Sequence, residues 1–189
     1  MSLGLIIGLV VVALVVVVGL WFVMTYNSFV RMRNRVANSW AQIEVQLKRR
    51  WDLIPNLVET VKGYAKHEAG TFEAVVAARN AAATVGSGDV AATAQAENAL
   101  SGALRQLFAV AEAYPDLKAN QNYLQLQGEL TETENKISFT RQFYNDTVMT
   151  YNIALQVFPA MLIAGMLNFK PEKQFEAEEA ERAVPKVSF

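Results

Sequence analysis

The feature that most constrains this chain is a charge-free start. None of the first 30 residues is Asp, Glu, Lys or Arg, whereas the remaining 159 carry all 35 such residues. Within that start, Leu3 to Met24 reads LGLIIGLVVVALVVVVGLWFVM, in which every residue is apolar or glycine. As a helix this run spans about 33 Å, enough for a bilayer core of about 30 Å. Its many β-branched residues make poor helix formers in water. In lipid an unsatisfied backbone costs more than that deficit, so the helix is the expected form. Trp21, Phe22 and Tyr26 gather near one end, where aromatic rings suit the membrane–water interface. A cleaved signal peptide fits poorly, because there is no basic leading region, the apolar run is too long and no small-x-small cleavage site follows. A buried core helix is improbable for a run this long and apolar. The expectation is an uncleaved anchor, residues 1–25, crossing the membrane once.

Arg31, Arg33 and Arg35 follow the anchor at once, with nothing basic before it except the N-terminal amine. The positive-inside bias then places the N-terminus outside and the main domain in the cytoplasm. Three arginines two residues apart ring a helix rather than line one face. They are the candidate contacts for lipid headgroups. The chain has no cysteine, which excludes disulfides and thiolate metal sites, and its one histidine, His67, excludes a multi-histidine site in one chain. No Ca²⁺-loop spacing is present either.

From Tyr26 to about Ala83 the pattern is helical. Val36, Ile43, Leu57 and Tyr64 form one apolar track at heptad spacing, interrupted by Arg50; Trp40, Leu47, Ile54 and Val61 form a second. Both fall on one helical face. Pro55 lies inside the pattern, where it removes a hydrogen bond and crowds the carbonyl of Trp51. The tracks continue in phase beyond it, so a kink is expected rather than a stop. Gly63 and Gly70 are weaker breaks, leaving one long bent helix or two in series. Gly86-Ser87-Gly88-Asp89 is a turn, with Ser87 or Asp89 able to cap a helix from Val90 to Ala113 that carries Leu100, Leu104, Leu107, Phe108 and Val110.

Tyr114-Pro115-Asp116 breaks that helix and suits the start of another, expected to reach about Val157. Its apolar stripe is Leu117, Leu124, Leu126, Leu130, Ile137, Tyr144, Val148, Tyr151 and Leu155. After Phe158-Pro159, the segment Ala160 to Asn168 is apolar but too short to span a bilayer. Core packing is its expected role, with contact to the membrane surface or a neighbouring subunit as the alternative. Glu172 to Arg182 is acidic and helix-prone. The fold class expected is all-α: a transmembrane helix, then an elongated antiparallel helical bundle over 26–168, then an acidic tail over 169–189.

Chemistry is hard to find. There is no nucleotide-binding glycine pattern, nucleophile elbow or HExxH. His67 and Glu68 are adjacent, and adjacent helical residues do not face one another, so they make no oriented dyad. Lys48-Arg49-Arg50 is read as a solvated face or as an ion-pair partner for another helix; no nucleic acid is expected. Asn145, Asn152 and several amides on the first long helix can fix register between helices, or line a polar cleft. Glu97, Glu129 and Glu134 do not reproduce the paired Glu-x-x-His set of di-iron bundles.

The stretch YNSFVRMRNRVANSWAQIEVQLKRRWDLIPNLVETVKGYAKHE at 26–68 resembles the signature of the bacterial LemA family. So do AYPDLKANQNYLQLQGELTETENKISFTRQFYNDTV at 113–148, YNIALQVFP at 151–159 and the ending FEAEEAERAVPKVSF at 175–189, where Ala180 stands in place of the family's usual glycine. The resemblance covers essentially the whole chain. It implies an N-terminal anchor, a helical bundle facing the cytoplasm, and no catalytic residues, substrate or cofactor. Some members are associated with magnetosome membranes. Arg33, Trp40, Arg49, Pro55 and His67 match its characteristic positions and are expected to serve structure or interaction.

A hydrolase or redox enzyme is disfavoured because its nucleophiles and cofactor ligands are missing, which leaves two functions, neither enzymatic. One is a membrane-tethered interaction or assembly protein of the bacterial inner membrane, whose partners are the lipid bilayer and either a second copy or another membrane protein. The other is a small-ligand sensor or accessory subunit of a transport or signalling system, which needs a concave polar site between helices.

Overall fold

A computed structural model describes residues 3–86 and 88–176. Among the described residues six helices follow one another: α1 (Leu3–Lys62), α2 (Ala69–Thr84), α3 (Val90–Glu112), α4 (Pro115–Lys118), α5 (Gln121–Gln156) and α6 (Ala160–Met166). No strand occurs among the described residues. The chain divides into two compact units, Met1–Asn38 with Asp146–Glu172, and Ser39–Asn145 with Lys173–Phe189.

In the first unit, α1 opens with the charge-free run, long and apolar enough to cross a membrane, and its most apolar 18 residues are buried by none of the described residues. Packing begins at Phe29 and continues through Val36, with Val148, Tyr151 and Leu155 of α5 and Ile163 and Ala164 of α6 also buried. Arg33 of α1 acts electrostatically on Tyr151, while Met24 and Ser28 share a cleft with Val157. As α5 advances, its neighbours on α1 recede, so the two segments run antiparallel. The peptide Phe158–Pro159 is cis, and the chain turns through 94° from α5 into α6. Asn168 closes α6 with a left-handed φ of 55°, a conformation asparagine tolerates better than most residues. Phe169 N–H then donates to the Ala164 carbonyl at 3.0 Å, the six-to-one bond of a helix-ending Schellman turn. The turn brings the Phe169 ring to 5.2 Å from that of Phe29 and 6.1 Å from that of Tyr26.

In the second unit, α1 and α5 are again antiparallel: Asn120 donates to the Tyr64 hydroxyl, Glu134 meets Arg50, and Tyr144 packs on Trp40. The core gathers Ile54, Leu57 and Val61 of α1, Phe72 and Val75 of α2, Leu100, Leu104 and Leu107 of α3, and Leu130 of α5. Both heptad tracks of α1 are therefore buried, apart from the half-exposed Tyr64. Asp89, not yet helical itself, accepts from Ala92 N–H at 3.1 Å and caps α3. Ser87 lies outside the described residues.

Of the two forms left open for the first long stretch, the structure has two helices in series, broken at Gly63–Glu68, and α1 runs through Pro55 without a stop, as expected. Three expectations change. The helix expected from Pro115 to Val157 is two, because Asn120 accepts from Tyr123 N–H at 3.1 Å and starts α5 afresh. Leu124 is half-exposed, and Tyr123 takes the core position instead. Glu172–Glu176 is not helical. The rest of the acidic tail, 177–189, lies outside the described residues.

Candidate functional site

The polar centre of the second unit is the residue that interrupts the apolar track. Arg50 is 5% exposed and Glu97, on α3, is 4% exposed. Arg50 Nη1 lies 3.2 Å from Glu97 Oε2 and 3.2 Å from Glu134 Oε2 on α5, while its Nη2 donates to Ser101 Oγ at 2.8 Å. Trp51 Nε1 donates to the other Glu97 oxygen at 2.7 Å. One guanidinium thus ties three helices together, with its fork matched to two carboxylates and a hydroxyl. Burial pushes the Glu97 carboxyl above its usual range; Arg50 and the Trp51 hydrogen bond oppose the rise without cancelling it.

A cavity of about 320 Å³ opens beside this cluster, bounded by Arg50, Ser101, Glu134 and Asn135 on its polar side and by Leu104, Phe108 and Leu130 on its apolar side. Arg105 also faces it. The size and the mixed lining suit a small molecule with one polar end. No group of three or more His, Asp or Glu able to hold a metal ion occurs among the described residues.

Pro55 builds a second junction. Having no N–H, it leaves the Trp51 carbonyl without its helical donor. Arg79 of α2 supplies one, its Nε donating to Trp51 O at 3.2 Å. Trp40 is buried, donates to Glu44 Oε1 at 2.8 Å, and packs against Tyr144 and Phe175. Arg49 is exposed, and its charge helps to hold the Glu132 carboxyl below the usual range, after the larger effect of Lys136. His67 is exposed in the turn between α1 and α2. Arg31, Arg33 and Arg35 are exposed in the first unit, with the Arg33 guanidinium 5.6 Å from the centre of the Phe169 ring. These positions are not gathered into one site.

Two of the helix amides, Asn145 and Asn152, hold a later stretch of backbone. In the second unit, Asn145 grips the backbone of Phe175 at both ends, donating to its carbonyl at 3.0 Å and accepting from its N–H at 2.8 Å. Tyr144 donates to the Lys173 carbonyl at 2.8 Å, and Arg141 stacks over the Phe175 ring at 5.2 Å. In the first unit, Asn152 holds Glu172 by the same two-point clasp, both bonds at 2.9 Å. The irregular segment after α6 thus meets part of its backbone hydrogen bonding with Asn145, Asn152 and Tyr144 of α5.

Sequence reasoning considered Glu97 and Glu134 only as metal ligands and did not find Ser101 or Arg79. The available signal was Arg50 itself, a cation at a core position, which demands buried carboxylates.

The sequence model of the LemA family matches residues 39–189. Magnetosome protein MamQ 2 of Paramagnetospirillum magneticum is 26% identical over 181 residues, covering 83% of this chain and 66% of that protein. Protein LemA of Metamycoplasma hominis is 29% identical over 161 residues, covering 82% of this chain and 71% of its own length. Magnetosome protein MamQ of Magnetospirillum gryphiswaldense is 25% identical over 181 residues, again with 66% of its length matched, so the chain spans just under two thirds of these magnetosome relatives.

Proposed function

The chain belongs to the LemA family, and from that premise we propose that it is a membrane-tethered interaction or assembly protein without catalytic activity. The observation that carries this reading is how α1 is used. One helix of 60 residues opens with an uncovered apolar run and continues as a wall of a packed helical unit. Arg50, Glu97, Trp51 and Ser101 in that unit are engaged with one another. Two relatives are magnetosome proteins by name, which agrees with work at a membrane. Arg31, Arg33 and Arg35 favour an N-terminus outside and the second unit in the cytoplasm of a bacterial inner membrane.

Association has its own support. Phe139 is 72% exposed and Val45 64% exposed in the second unit, large apolar groups open to a partner. Crosslinking in intact membranes, followed by identification of the attached proteins and sizing of the detergent-solubilised chain, tests the reading. A specific homo- or hetero-complex is expected. A strict monomer over a wide concentration range, with nothing crosslinked, would overturn it.

A small-ligand sensor or accessory subunit is the second reading, favoured by the cavity beside Arg50. Filling it by Leu104→Trp would abolish ligand binding on this reading and leave membrane association unchanged.

A further inference from the structure

We propose that α6 and the turn before it are a second membrane contact, lying in the headgroup layer beside the exit of α1. The inference rests on the reading of α1 as a membrane anchor.

Val157 to Leu167 reads VFPAMLIAGML and contains no side chain that is charged or hydrogen-bonds. Only one side of this segment is covered: Ile163 and Ala164 are buried. Phe158 is 73%, Leu162 59% and Met166 74% exposed, with Met161 and Leu167 also open. A helix on an aqueous surface presents polar groups outward, and one that is apolar all round is buried in something.

The depth of α6 identifies what covers it. Val157 and Ala160 line one cleft with Met24, Thr25 and Ser28 of α1. Met24 ends the apolar run, and Ser28 lies four residues on, about 6 Å farther along a helix. The headgroup layer is about 5–7 Å deep on each side of the hydrocarbon core. The beginning of α6 therefore stands at the level of that layer. The 94° turn out of α5, which runs antiparallel to α1 here, sets α6 across the direction of the anchor and so along the membrane surface. Charge agrees: Arg31, Arg33, Arg35 and Lys170 outnumber Asp146 and Glu172 in this unit, which suits anionic headgroups. A short apolar element with basic neighbours is the composition of an interfacial segment.

The absence of native cysteine makes the test direct. The full chain, with an environment-sensitive fluorophore at one of Val12→Cys, Leu162→Cys, Met166→Cys or Gln106→Cys, is reconstituted in vesicles of phosphatidylcholine and phosphatidylglycerol. Nitroxide-bearing lipids report depth. Labels at 162 and 166 are expected to shift to the blue of the label at 106, and to be quenched more by a nitroxide near the headgroup than by one at the acyl-chain end. The label at 12 should show the opposite preference. Water-like emission at 162 and 166 with a deep label at 12 would overturn the proposal while leaving the anchor standing. Blue emission at 162 without lipid quenching would reveal a protein partner and overturn it equally. A water-like label at 12 would instead remove the anchor itself.

Discussion

Replacing Arg50 by leucine removes the cation from a site that two carboxylates share. Glu97 would keep the Trp51 hydrogen bond but lose the guanidinium 3.2 Å away, deep in the second unit. Breaking a buried ion pair from one side typically costs about 3–5 kcal/mol, because the remaining charge is stranded. Glu97 limits that cost by taking up a proton, each unit of pKa rise corresponding to about 1.4 kcal/mol. Its folded-state pKa is already raised in the native protein, so its contribution to stability is fully present below the unfolded value and is lost as pH rises through the folded one. Without Arg50, which opposes that rise, the folded value climbs farther and the loss with rising pH grows. Chemical unfolding of the detergent-solubilised full chain, followed by circular dichroism, should therefore find Arg50→Leu destabilised at neutral and alkaline pH and much less so near pH 5. Adding Glu97→Gln should recover about half of the loss or more, since glutamine leaves no charge and can still accept from Trp51. An effect independent of pH, or a double variant as unstable as the sum of the singles, would refute the reasoning.

Other consequences follow from the same geometry. Arg79→Met should cost about 1–3 kcal/mol by orphaning the Trp51 carbonyl, and much less in a Pro55→Ala background, where alanine restores the helical donor; a double-mutant unfolding cycle measures the difference. Asn145→Leu removes both bonds to Phe175 and should speed trypsin cleavage at Lys173, while circular dichroism at native conditions stays unchanged. Phe139→Ser should weaken association measured by sizing in detergent without loss of thermal stability, because this side chain is 72% exposed.

Much of the fold was legible. The long apolar helix could be read because 22 consecutive apolar or glycine residues have few other uses, and the faces of α1 because two heptad tracks stayed in phase. The breaks were harder. That α1 passes Pro55 was legible because the tracks stay in phase beyond it, but nothing local showed that Arg79, 24 residues later, serves the carbonyl that proline leaves free. Asn120, an ordinary capping residue, divides α4 from α5, and its signal was present but lost beside the apolar stripe. The polar cluster illustrates a different limit. That Arg50 needed a buried anion followed from its place in the track, but its partners lie 47 and 84 residues away, and only the packing of α3 and α5 against α1 selects Glu97 and Glu134. Asn145 and Asn152 were visible as amides, and nothing local marked the later backbone they hold.

Alkaline carbonate extraction of membranes containing the full chain asks most directly whether Leu3–Met24 lies in the bilayer. The protein should stay in the membrane pellet after carbonate and high salt, and only detergent should release it. Recovery in the supernatant after either wash would mean that lipid does not hold the apolar run, and the account would fail at its foundation.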